Sequence, residues 1–188
     1  DVLISAPQKG WSSTPCAGLV MMSERALARL EETTSDSFSA DLGKWRAIMA
    51  AYEGGGHAYH ATMPTDGLTA FRDTMAETRD YGFERLRDAQ WELGTKVRAA
   101  LRLRGIASVA AEGYGAPGVV VSYTDDPGVQ NGSKFGALGV QIAAGVPLQV
   151  GEPEGFSTFR LGLFGLDKLI DVDATVARLE AALDKAIS

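Results

Sequence analysis

The 188 residues, 45% hydrophobic and 22% charged, are enough to bury a core and suit a soluble globular protein of one or two domains. A net charge of −6, with no basic block, argues against nucleic acid or an anionic membrane as partner. No run of about 18 apolar residues and no charged-then-apolar leader occurs, so a cytoplasmic location is expected, and the single Cys16 excludes an internal disulfide or a four-thiolate metal site.

Residues 2–6 have the length and apolarity of a strand covered on both faces, and Pro7, lacking an amide hydrogen, ends its pairing. Lys9 therefore leaves the sheet at the carboxyl end of a strand, where open α/β sheets bind ligands. Partial burial there favours a neutral amine able to condense with an aldehyde, and Gln8, Ser12, Ser13 and Thr14 are neutral donors suited to a phosphate. On spacing alone a solvated surface lysine is the more common reading.

Residues 18–22 read as a second strand, with Ser23 capping a helix over 24–32. A polar loop leads to a helical pattern from Leu42 to Tyr52, ended by Gly54, Gly55 and Gly56. Next, Tyr59 and Thr62 stand three apart in an extended stretch before Pro64, a spacing that can aim both hydroxyls at one anion; a loop tyrosine and a turn threonine are the ordinary alternative. His57 and His60 form an H-x-x-H pair without further ligands, so they read as rim or hydrogen-bonding groups and no metal site is expected.

Thr65 caps a helix carrying Leu68, Phe71 and Met75, and a longer helix spans 83–104 with Leu86, Leu93, Val97 and Leu101 on one stripe and Gly105 beyond its end. The G-x-G-x-x-G match at 113–118 precedes the strand-like 119–123 instead of opening a helix, which excludes a dinucleotide fingerprint. A turn at 125–128, a glycine-weakened helix over 129–138 and a strand over 139–144 follow. Residues 145–157 read as a long loop. In the strand 158–164, Arg160 faces away from Phe159, Leu161 and Leu163. A guanidinium in the middle of an apolar strand needs an anion, and its planar fork suits a carboxylate; an internal ion pair or an exposed face would serve as well. A last helix starts at Asp171 or Asp173 with Val172, Val176, Leu179 and Leu183 on one face.

The run SAPQKGWSSTP at 5–15, followed by AGLVMM at 17–22, resembles the cofactor-lysine segment of class V aminotransferases, the alanine–glyoxylate and serine–pyruvate group of fold-type I pyridoxal-phosphate enzymes. Tyr59 and Thr62 match the family's Tyr-x-x-Thr segment, and FRLGLFG at 159–165 matches its arginine motif. The resemblance implies the C-terminal part of that α/β fold, with 1–80 ending the large mixed-sheet domain and 81–188 forming a small α/β domain. It implies an aminotransferase that moves an amino group from alanine or serine to glyoxylate or pyruvate. Lys9 is then the Schiff-base lysine of pyridoxal 5'-phosphate, Gln8 a phosphate contact, and Arg160 the anchor of the substrate carboxylate. Tyr59 and Thr62 reach the phosphate of the neighbouring subunit, which implies a homodimer with shared sites.

Two departures qualify this. Pro7 replaces a serine that many relatives carry, and the family's pyridinium acid, stacking aromatic and main phosphate loop all precede Asp1, so an upstream half is expected. A class V lyase or cysteine desulfurase is the same-fold alternative, and a non-catalytic dimerisation fragment the alternative of another class.

Overall fold

A computed structural model describes residues 1–188. The chain forms two units, residues 1–9 with 13–74 and residues 10–12 with 75–188, so the division falls inside one helix.

In the first unit the apolar runs form β1 (Val2–Ser5) and β2 (Leu19–Met22), paired antiparallel with Val2 opposite Met22 and Ser5 opposite Leu19. The strand expected at the start is there, but these residues do not cover it. Val2, Leu3 and Ile4 are 52%, 62% and 73% exposed, because a two-stranded ribbon has a single pairing edge in use and nothing in this unit spans both faces.

Ser23 caps α1 (Glu24–Glu31), its Oγ accepting from the amide of Ala26, and Asp41 caps α2 (Leu42–Glu53) through the amide of Lys44. Arg46 of α2 reaches Glu31 of α1 at 3.0 Å. Gly55, at φ 80°, turns the chain out of α2. Only Pro7, Ile48 and Phe71 are buried in this unit, the last on α3 (Thr65–Tyr81), so its own core is thin.

The second unit is built on α4 (Phe83–Leu103). The predicted stripe is the buried one: Leu93, Val97 and Leu101 are 0–2% exposed, and Leu86 packs against the same core. The core continues through Val120 of β3 (Val119–Tyr123), Phe159 and Leu161 of β5 (Thr158–Gly162) and Leu183 of α8 (Val172–Ala186), which Asp171 caps. β5 lies between β3 and the two-residue β4 (Ala143–Ala144), antiparallel to both.

Two stretches differ from the sequence reading. Gly132, left-handed at φ 79°, splits the helix expected over 129–138 into α5 (Pro127–Gln130) and α6 (Ser133–Gly136). Gly139, at φ 75°, and the bond from the Val140 amide to Phe135 O give the start of the expected 139–144 strand to the helix exit, leaving β4 short. The one-turn α7 (Leu166–Leu169) was not legible in sequence. No helix is long and apolar enough to cross a membrane.

α4 touches the sheet where side chains are smallest. A Cβ on Gly94 would stand 2.7 Å from the carbonyl oxygen of Pro117 and 2.9 Å from its Cα. Alongside, Gln90 Nε2 donates to Pro117 O at 3.0 Å and Leu163 O at 3.2 Å. At the far end of the helix, Arg104 donates to Asp184 at 2.6 Å and Glu180 at 3.1 Å, both on α8.

Gly94→Ala therefore loses about 1–3 kcal/mol in denaturant unfolding, because overpacking against backbone outweighs the gain in helix propensity. The hydrogen bond from Arg104 holds the Asp184 carboxyl below the ordinary aspartate value of 3.8. A depressed folded value means a stabilisation that is complete above 3.8 and lost as pH falls through the lower folded value. Melting temperature followed from neutral pH to about 2 is expected to fall less steeply at the acid end in Asp184→Asn than in the parent.

Candidate functional site

β1 ends at Ser5 and the chain turns at once, the Lys9 amide donating to Ala6 O at 3.2 Å and the Ser13 amide to Pro7 O at 2.9 Å. Pro7 is buried under this turn, which leaves Gln8 and Lys9 side by side and exposed. Lys9 is exposed, so these residues do not supply the partial burial expected for it. Ser12, left-handed at φ 52°, belongs to the second unit and lies against Gly165 at the end of the arginine motif. A Cβ on Gly165 would stand 2.9 Å from Ser12 Oγ.

The structure brings Tyr59 and Thr62 together: Tyr59 Oη and Thr62 Oγ1 are 3.3 Å apart, and both side chains are exposed. Two hydroxyls at that separation can donate to one shared oxygen or to two oxygens of one anion. The histidine between them holds the loop. His60 lies tilted against Phe38 at 4.2 Å between ring centroids, meets Trp45 edge-on at 5.1 Å, and places Nε2 3.0 Å from Phe38 O. Trp45 in turn donates to Ser39 O at 2.8 Å.

Arg160 occupies the centre of β5, opposite Val121 on one side and Ala143 on the other. Its neighbours Phe159 and Leu161 are buried on the core face, so the arginine emerges on the opposite one, half-buried. Nε donates to Ala144 O at 2.8 Å and no carboxylate pairs with it, which leaves both terminal nitrogens for an external anion. Of the alternatives open in sequence, the internal ion pair is absent.

Of the three glycines of the 113–118 match, Gly113 is left-handed at φ 82°, and the other two are explained by packing. Gly115 lies under the Arg98 guanidinium, and a Cβ on Gly118 would stand 2.4 Å from the Phe164 ring. Two clefts of the second unit, one beside Arg98 and one over 131–142, are lined by none of the five predicted site residues. Arg98 and Ser122, on the first of these, had no sequence signal beyond a hydroxyl on the apolar side of a strand.

The backbone superimposes over 100% of its length on an alanine–glyoxylate aminotransferase from Nostoc sp., covering 48% of that chain with a TM-score of 0.76 at 20% identity. An aspartate aminotransferase of subgroup IV from Thermus thermophilus aligns with 99% of this chain and 49% of its own, TM-score 0.75, 21% identity. The fold is that of the C-terminal part of a fold-type I aminotransferase. By sequence, the soluble hydrogenase 42 kDa subunit of Anabaena cylindrica is 24% identical over 184 residues, 97% of this chain and 46% of that protein. The chain thus spans about half the length of that relative. No family model matches.

His60→Ala removes two ring contacts and a hydrogen bond at once. It is expected to shift the Trp45 fluorescence and to destabilise the first unit by about 1–2 kcal/mol, read from thermal unfolding followed at Trp45.

Proposed function

We propose that this chain is the C-terminal part of a pyridoxal 5'-phosphate-dependent aminotransferase, moving an amino group from a small amino acid, alanine or serine, to glyoxylate or pyruvate. The observation that carries the reading is Arg160, an uncompensated guanidinium in mid-strand with its terminal nitrogens unengaged. Such a group is costly in an apolar strand unless it meets an anion, and a substrate α-carboxylate fits its fork.

The residues at hand fit the cofactor. Lys9 offers a primary amine at a strand end, Gln8 a neutral donor beside it, and Tyr59 and Thr62 two hydroxyls 3.3 Å apart for phosphate oxygens. Pyridoxal phosphate, when bound, supplies the electron sink that makes a substrate Cα–H bond acidic. Lys9 Nζ is the covalent tether, and as a free amine it takes the proton from the substrate Cα. Arg160 holds the substrate carboxylate.

On this reading residues 1–80 complete the large domain and 81–188 form the small one. The exposed apolar side chains of β1 and the half-length match both support an upstream half as partner, and the exposure of Tyr59 and Thr62 supports a second subunit as the place where their hydroxyls act. Cys16 packs against Gly67 of α3, where a Cβ would stand 2.8 Å from its own, and this favours transamination over a desulfurase that needs a mobile thiol.

Borohydride reduction of the native protein with pyridoxal phosphate, followed by peptide mapping, is expected to place the label on Lys9; a label elsewhere, or none, ends the proposal. Arg160→Met is expected to lower kcat/KM for alanine–glyoxylate transfer by about 10–100-fold, the worth of a charge-assisted pair, and unchanged kinetics would remove Arg160 from the site.

A further inference from the structure

The guanidinium of Arg160 is aimed by a strand other than its own. Nε donates to Ala144 O at 2.8 Å, and Ala144 is the last residue of β4, an edge strand of two residues paired only with β5. So short a strand cannot by itself fix the direction of its last carbonyl. The residue that follows it does. Gly145 stands one register step beyond the Ala144–Phe159 pair and passes so close to Thr158 that a Cβ on it would be 1.8 Å from Thr158 O and 2.4 Å from Thr158 Oγ1. Thr158 is buried and has no room to withdraw.

Gln130 holds the same residue twice. The Gly145 amide donates to Gln130 O at 3.3 Å, and Gln130 Nε2 donates to Gly145 O at 3.4 Å. Gln130 ends α5, which is anchored by the Asp126 carboxylate, accepting from the amides of Gly128 at 2.7 Å and Val129 at 3.2 Å, and by Val129 in the core. Ala144 O and the Gly145 amide belong to one planar trans peptide, so the bond from that amide to Gln130 sends the carbonyl the opposite way, to Arg160. With Nε engaged there, the guanidinium edge that still presents two parallel N–H groups is the one between its terminal nitrogens.

We propose that Gly145 and Gln130 are positioning residues for Arg160. They hold the 144–145 peptide so that its carbonyl fixes the guanidinium before a ligand arrives, with the terminal edge free to take one carboxylate end-on. Side-chain torsions already ordered in this way are ones that binding need not order, and affinity gains by that saving. The inference rests on the carboxylate role proposed above for Arg160, whereas the bonds that carry it lie wholly within the second unit and involve no cofactor.

The Arg160 Nε–H signal of the ¹⁵N-labelled native protein, assigned by its loss in Arg160→Met, reports the bond directly and needs neither cofactor nor substrate. Its exchange with water is expected to be slow in the parent, to quicken about tenfold in Gly145→Ala and to quicken by a smaller factor in Gln130→Met. In the protein loaded with pyridoxal phosphate, Gly145→Ala is expected to raise KM for alanine about 5–10-fold with kcat within about twofold, because the carboxylate is held alike in ground and transition states. In the Arg160→Met background the same substitution is expected to change KM by less than about twofold, as for two residues acting through one contact. An equal penalty in both backgrounds, or an exchange rate that neither substitution moves, would overturn the positioning role and leave Gly145 a packing residue. Should Gly145→Ala fail to fold, Gln130→Met, which leaves the backbone untouched, decides by the same two readouts. If Arg160→Met alone leaves KM unchanged, it is the carboxylate reading that fails, and the exchange rate still decides whether Gly145 and Gln130 aim the side chain.

Discussion

The approach of α4 to the backbone at 116–119 is the constraint on which the second unit depends. Gly94 brings helix and chain to a separation no other residue permits, and Gln90 and Arg98, one turn to either side, satisfy the carbonyls of 116, 117, 119 and 163 that this closeness would leave without water. The apolar stripe of the same helix then meets β3 and β5 and closes the core. One helix thus does two jobs: its apolar stripe buries area, while Gln90, Gly94 and Arg98 fix where the sheet begins.

That placement governs the chemistry available. With β5 central and its odd-numbered residues committed to the core, Arg160 has a single direction left, and β4 supplies a carbonyl to orient its Nε without neutralising it. The cation is positioned by a neutral partner. An ion pair would have held it as firmly and left nothing for an external anion.

The first unit follows another logic. Its helices are well capped and its loop 57–63 is held by the packing of Phe38, Trp45 and His60, yet it buries few side chains and exposes the apolar residues of β1. Local rules are satisfied throughout, and the area removed from water is small. Lys9, Gln8, Tyr59 and Thr62 stand exposed on it.

The sequence by itself determined what depends on neighbours along the chain. The caps at Ser23, Asp41 and Asp171, the stripe of α4, the alternation around Arg160 and the motifs of 5–15 and 159–165 were legible because periodicity and capping involve residues a few positions apart. Tertiary structure alone decided the exposure of β1, the break at Gly132, the absence of a carboxylate beside Arg160 and the unpaired atoms of Arg98 and Ser122. Each of these turns on what a residue meets, or fails to meet, far along the chain, and no local pattern encodes a missing partner.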